Sequence, residues 1–72
     1  MYRVKEQVLV KRTKWDVTSQ RYHESWLPSV IVANLGKIQM RTGIVRFEEL
    51  VAYNVQVEGT IERVSERNLK RR

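Results

Sequence analysis

The sequence SWLPSVIVAN, residues 25–34, is the most continuously apolar stretch of the chain and lies near its middle. Its run Val30-Ile31-Val32 is β-branched, and such side chains fit a pleated surface better than a helix. Pro28 has no amide hydrogen and is tolerated at the first residue or the edge of a strand. The stretch therefore predicts a central strand over residues 29–34, packed on both faces and entered through Trp26.

The overall composition also favours strands. The chain has eleven valines and only two alanines, whereas helical bundles draw on alanine and strands on β-branched residues. Its 72 residues suffice for one domain, and a chain of this size buries only roughly 60% of its unfolded surface. There is no cysteine, and His23 is the one histidine, which excludes disulfides and argues against a zinc site.

The chain is strongly basic. Fourteen lysines and arginines oppose eight acidic residues, giving a net charge of +6. This excess favours an anionic partner, with nucleic acid first and an acidic protein or membrane surface second; the alternative is a solvated basic surface that only keeps the protein soluble. No apolar run approaches the roughly 20 residues of a membrane helix, and the basic N-terminus is unlike a signal peptide. We expect a cytoplasmic or nucleoid/nuclear protein that is neither secreted nor bound to membranes.

Alternating apolar residues predict further strands on both sides of the central one. Tyr2, Val4, Val8 and Val10 lie at alternate positions and indicate a first strand over residues 3–12. Glu6 interrupts this apolar face, so Gln7 is an alternative start. The polar residues 11–24 are expected to form a long loop or an irregular hairpin. The chain after residue 34 predicts an antiparallel meander of short strands. Its parts are a turn at Asn34-Leu35-Gly36, a strand over residues 37–41, a turn at Thr42-Gly43 and a strand over residues 44–47.

The segment FEELVAY, residues 47–53, is ambiguous between helix and strand. Phe47, Leu50 and Val51 have the spacing of a helical turn, whereas alternate residues after Val51 have the period of a strand. We expect a helical turn at 48–50, a strand over 51–57, a turn at Glu58-Gly59, and over 60–64 a last strand or a short helix capped by Thr60. Residues 66–72 are expected to form a basic tail that is frayed or ordered only on binding, so the domain itself spans residues 1–65.

No arrangement of residues points to catalysis. Glu48 and Glu49 are neighbours whose side chains point apart on a strand or helix, so they cannot act as an acid and base pair. His23 lies near Ser19 and Ser25, but nothing in its segment completes a triad, and we interpret it as a surface histidine. Phosphate loops, dinucleotide fingerprints and clusters of metal ligands are absent. We expect a protein without enzymatic activity and without a cofactor or metal.

Basic and aromatic residues are interleaved in residues 11–24. Trp15 and Tyr22 could stack on bases while Lys14 and Arg21 meet phosphates, as in the recognition of single strands. In the alternative interpretation the two rings cover one end of a small core. A second basic strip is predicted from Lys37, Arg41 and, across the sheet, Arg46. In the alternative interpretation Lys37, Gln39 and Arg41 are the ordinary solvent face of a strand.

The order of these elements resembles that of SH3-like small barrels of the Tudor, agenet and retroviral-integrase C-terminal kind. Those domains have a first strand, a long loop, a strand opening with a Trp-x-Pro-like element, two short strands, a helical turn and a closing strand. Here Trp26-Leu27-Pro28 stands at the expected place, and residues 7–64 follow the order. The resemblance implies a barrel that binds nucleic acids, or peptides through an aromatic cage that would include Trp15, Tyr22 and Trp26.

A second resemblance is to the winged-helix DNA-binding domains of excisionase-type proteins. The residues that carry it are Gly36-Lys37-Ile38, Gly43, Arg46-Phe47 and Leu50-Val51-Ala52-Tyr53. It implies a DNA-binding accessory factor. The recognition helix of that family would fall on Pro28 to Val32, where a proline and β-branched residues disfavour a helix.

These observations together predict an all-β domain, a small antiparallel SH3-like barrel of about five strands, that binds DNA or RNA without catalysis. The alternatives are the winged-helix factor and a protein-interaction module for an acidic partner. Exposed sheet edges could also pair two copies of the chain as a homodimer. The predicted contact residues are Lys11, Arg12, Lys14, Trp15, Arg21, Tyr22, Lys37, Arg41 and Arg46.

Overall fold

A computed structural model describes all 72 residues, Met1–Arg72. Its elements are β1 (Gln7–Asp16), β2 (Arg21–Arg41), β3 (Phe47–Val57), β4 (Thr60–Ser65), a 3-10 turn (Glu66–Asn68) and β5 (Leu69–Arg71). The strands form one antiparallel sheet in the order β4-β3-β2-β1-β5. The sheet is curled into a half-barrel, so the all-β prediction is confirmed.

The sheet is curled because its longest strand, β2, is bent. Its 21 residues would extend over roughly 70 Å if straight, yet the longest dimension of the molecule is 38 Å. The strand bends where its register with β3 shifts, between Ile31 and Ala33 and again between Asn34 and Gly36. Gly36 has a φ of +69°, and the Asn34 side chain accepts a hydrogen bond from its amide at 2.8 Å. These β-bulges let one strand serve both halves of the sheet.

The core lies inside the curl and is built mostly of valine. Val8 and Val10 on β1 face Ile31, Val55 and Val57, and all five are buried. The same cluster contains Tyr53, Val64 and Leu69. Because alternate residues of a strand point to opposite faces, the period-2 pattern of β1 correctly predicted its inward residues.

The two chain ends close the open side of the half-barrel. β5 pairs with β1 over Val8 to Val10, and Leu69 fills the core. The Tyr2 hydroxyl donates to the Leu69 carbonyl at 3.1 Å, and the Arg71 guanidinium lies 3.0 Å from the Glu6 carboxylate. The prediction of a frayed tail over residues 66–72 is therefore wrong, because an apolar anchor and an unpaired strand edge order it.

The first half of the chain settles two open alternatives and corrects three predictions. β1 begins at Gln7, the alternative start, and residues 11–24 form a hairpin, the second of the two predicted forms. β1 also continues to Asp16, beyond its predicted end at Arg12. The predicted central strand exists within β2, but Val32 on it is exposed, so the strand is not packed on both faces. The predicted turn at Asn34-Leu35-Gly36 is one of the bulges in β2.

The second half of the chain keeps two predicted features and loses two. The turn at Glu58-Gly59 and the strand after it are confirmed. Residues 42–46 are a loop where a strand from 44 was expected, and residues 48–50 lie in β3, where a helical turn was expected. Residues 36–53 contain no helix, so the fold does not support the winged-helix resemblance. No helix has the length and hydropathy needed to cross a membrane.

Candidate nucleic-acid interface

Positively charged side chains converge on a cleft of about 320 Å³. It lies where the middle of β1, the end of β2, β4 and the 3-10 turn meet. Glu62 is the one carboxylate on its wall, and Met40, Leu50 and Val64 supply its apolar part. The cations of this basic cleft are Lys11, Arg12, Arg41, Arg63 and Arg67.

The cations of the basic cleft are held only weakly by acidic neighbours. The Arg12 guanidinium pairs with the Glu62 carboxylate, and the Lys11 amine lies 3.3 Å from Glu24. Arg67 lies 3.9 Å from Glu48. These pairs are partly solvent-exposed, and such pairs contribute about 0–1 kcal/mol each. A phosphate can therefore replace the carboxylates at small cost, and Arg63 has no ion-pair partner to give up.

Trp15 and Tyr22 form an exposed aromatic pair near the end of the β1–β2 hairpin. They lie directly opposite each other in register, with ring centroids 4.9 Å apart and planes at 66°. Trp15 is 48% and Tyr22 68% exposed. The alternative that these rings cover the core is therefore wrong. Trp26 lies further along β2, where the Lys70 amine is 4.1 Å from the centroid of the Trp26 ring. The three rings therefore do not form a cage.

The structure separates the aromatic pair from the cations that were predicted to act with it. Lys14 pairs in register with His23, and Arg21 with Asp16. These positions alternate with Trp15 and Tyr22 along the strands and so belong to the opposite face of the hairpin.

An open strand edge connects the basic cleft with the aromatic pair. β5 covers only Val8 to Val10 of β1. Residues 11–16 therefore have a strand partner on one side only. This open edge begins at Lys11 in the basic cleft and passes Trp15, about 13 Å further along at the usual rise of a strand.

The remaining predicted contact residues do not form one strip. Lys37 lies beside a separate cavity that is also lined by Glu49 and Glu66. Arg41 lines the basic cleft. Arg46 is exposed in the loop of residues 42–46.

Sequence reasoning missed Arg63 and Arg67. Arg63 alternates with Val64 on β4, and this alternation was a usable signal. Arg67 was assigned to a frayed tail, and only the closure by β5 places it at the basic cleft. Contacts between residues far apart in sequence gather these cations, and no local pattern records such contacts.

His23 stabilises the hairpin turn. Its Nε2 atom lies 3.0 Å from Asp16 Oδ2 and 3.0 Å from Ser19 Oγ. A Ser-His-Asp triad uses the two ring nitrogens separately, so one shared nitrogen does not give that arrangement. The Asp16 carboxylate also accepts the Thr18 amide at 2.9 Å.

No protein-family model, curated protein or solved structure matches the chain.

Proposed function

We propose that the protein is a non-catalytic nucleic-acid-binding domain of the SH3-like kind. Phosphates bind in the basic cleft, and bases contact the Trp15–Tyr22 pair. The observation that carries the proposal is the convergence of five cations on one cavity from β1, β2, β4 and the 3-10 turn. Guanidinium and ammonium groups clustered in this way form the electrostatic footprint of a polyanion site.

The arrangement of strands supports the SH3-like part of the proposal. The resemblance implies a helical turn followed by a closing strand. The turn at Glu66–Asn68 and β5, which pairs with β1, fill those two places later in the chain than the sequence suggested. Domains of this kind bind nucleic acids or peptides, so the fold alone does not distinguish the two classes of partner. The positive charge of the basic cleft favours nucleic acid.

Salt dependence is the most direct test of the proposed site. Each neutralised phosphate contributes about 0.9 to the slope of log K against log salt on duplex DNA and about 0.7 on single strands. Engagement of all five cleft cations would give a slope of about −4. Fluorescence anisotropy of labelled duplex DNA, single-stranded DNA and RNA at several salt concentrations measures this slope.

Matched variants assign the binding to the cleft. Arg63→Ala removes a cleft cation without an ion-pair partner, and Arg3→Ala removes an exposed cation outside the cleft. Both variants lose one charge. We expect Arg63→Ala to reduce the slope by about one unit on all sequences and Arg3→Ala to leave it nearly unchanged. Equal effects would indicate a diffuse charge interaction, and no binding at low salt would remove the proposal.

The open edge of β1 favours an acidic extended peptide as a second candidate partner. An added strand would satisfy its backbone groups, beside Lys11, Arg12 and Lys14. Pairing of two copies at this edge would instead bring like charges together, which disfavours a homodimer there. Thr13→Pro would weaken strand addition on the open edge, whereas binding in the cleft would persist.

A further inference from the structure

The loop of residues 42–46 presents apolar side chains to solvent. Ile44 is 85% and Val45 89% exposed, and Phe47 at the start of β3 is also largely exposed. We call these three residues the apolar tip. A small domain with few buried residues gains nothing in stability from side chains held away from its core, so this concentration indicates a contact surface.

Hydrogen bonds fix the loop that carries the apolar tip. The Arg41 guanidinium donates to the Gly43 carbonyl at 2.9 Å and also to the Ile44 carbonyl. The Thr42 amide donates to the Arg46 carbonyl at 2.9 Å. The conformation that projects Ile44 is therefore set before binding, which lowers the entropy cost of contact.

The apolar tip adjoins the basic cleft. Arg41 holds the loop and also lines the cleft, as does Thr42, and Arg46 in the same loop has no ion-pair partner. A partner that fits must offer anionic groups beside an apolar surface. Duplex DNA offers this combination where a base step is unstacked, because phosphates then flank exposed base faces. Proteins that bend DNA insert aliphatic side chains between base steps from the minor groove.

We propose that Ile44 and Val45 form a wedge that enters duplex DNA and kinks it while phosphates occupy the basic cleft. This inference rests on the proposed function and names duplex DNA as its target. Cations that line a cleft beside a projecting tip suit a grooved polyanion better than a flat lipid surface.

Bending of a short duplex tests the wedge. The substrate is a duplex of about 25 base pairs, within the range for which bending energies are known. It carries a donor dye at one end and an acceptor dye at the other, and energy transfer is measured at saturating protein. Wild-type protein should produce a kink of about 20–90°. The double variant Ile44→Ser/Val45→Ser should lose the kink with an unchanged salt slope. Its Kd should rise only about tenfold, because base unstacking offsets much of the aliphatic burial.

The matched control is Ile61→Ser, which removes an exposed aliphatic side chain of β4 outside the basic cleft. It should bind and bend DNA as the wild type does. Circular dichroism checks that all variants keep the β fold.

Each contrary result identifies which proposal fails. Duplex binding with a steep salt slope but no kink, or an equal kink with the double variant, overturns the wedge and leaves nucleic-acid binding intact. Tip-dependent binding to phosphatidylserine vesicles without a DNA kink also overturns it. Absence of binding to every nucleic acid at low salt overturns both proposals.

Discussion

Replacement of Tyr53 by phenylalanine tests how the half-barrel is closed. Tyr53 is fully buried on β3. Its hydroxyl accepts a hydrogen bond from the Tyr2 amide at 3.1 Å and donates one to the Glu66 carboxylate at 3.2 Å. One oxygen atom therefore joins the N-terminal segment, the sheet and the 3-10 turn that leads into β5.

The variant removes both hydrogen bonds and keeps the ring. The edge-to-face contact with Tyr2, at a centroid distance of 5.5 Å, can persist. A neutral hydrogen bond contributes about 1 kcal/mol and one to a charged group about 1.5–3 kcal/mol. Water can reach the half-buried Glu66 and recover part of this energy. We expect Tyr53→Phe to lower the free energy of unfolding by about 2 kcal/mol, equivalent to a fall in Tm of roughly 8–16 °C.

Denaturant unfolding followed by tryptophan fluorescence and circular dichroism measures this loss. The m-value should stay constant if the change acts on stability alone. Tyr22→Phe is the matched control, because Tyr22 is exposed and its hydroxyl has no hydrogen-bond partner within the protein; its effect should stay within about 0.5 kcal/mol. A loss at Tyr53 no larger than at Tyr22 would refute the closing role of the hydroxyl.

Three further predictions concern pH, backbone strain and the charge of the cleft. Burial raises the pKa of Tyr2 above its usual value, so the folded state retains this proton longer than the unfolded state and stability should fall as pH rises beyond about 10; Tyr2→Phe should flatten this fall in urea midpoints between pH 8 and 11. Gly36→Ala should cost about 1 kcal/mol in urea unfolding through its positive φ alone, since an added Cβ meets no atom within 4 Å, and Gly43→Ala should cost less. Glu62→Gln should remove the carboxylate that competes with phosphate for Arg12, tightening nucleic-acid binding at low salt with a stability change below about 1 kcal/mol.

Results of the opposite sign would contradict each argument. Equal alkaline destabilisation with and without the Tyr2 hydroxyl would show that other groups control it. Equal costs at the two glycines would remove the role of φ. Weaker binding by Glu62→Gln would mean that the carboxylate positions Arg12 for its phosphate.

The sequence predicted those features of the fold that depend on neighbouring residues. Alternation placed Val8 and Val10 inward, and Glu58-Gly59 marked a true turn. The same reasoning failed at Asn34 and Gly36, because residues that accept unusual φ values serve both turns and bulges. Only the pairing of β2 with β3 on both sides of the irregularity distinguishes the two.

The features that the sequence did not predict depend on contacts between residues far apart in the chain. Leu69 is an isolated apolar residue among cations, and no period identifies it as part of a strand. It is buried because the edge of β1 at Val8 to Val10, beside the core, is free to pair with β5. The basic cleft has the same origin, since Arg12, Arg41 and Arg63 are distant in sequence and meet only when the sheet curls. The sequence therefore identified Arg12 and Arg41 as candidate contact residues, whereas it did not indicate that they lie together with Arg63 in one cleft.

Because the sheet is curled, one part of a strand fills the core and another part of the same strand lies on the proposed binding surface. On β1 the inward positions Val8 and Val10 fill the core, and the next inward position is Arg12, which pairs with Glu62 at the mouth of the half-barrel. Beyond it the hairpin is exposed on both faces and carries the aromatic pair. Substitutions beyond this mouth should therefore change binding with little effect on folding. Arg12 lies between the core and the proposed binding surface, so Arg12→Ala should weaken both folding and binding, and it leaves the Glu62 carboxylate without its partner.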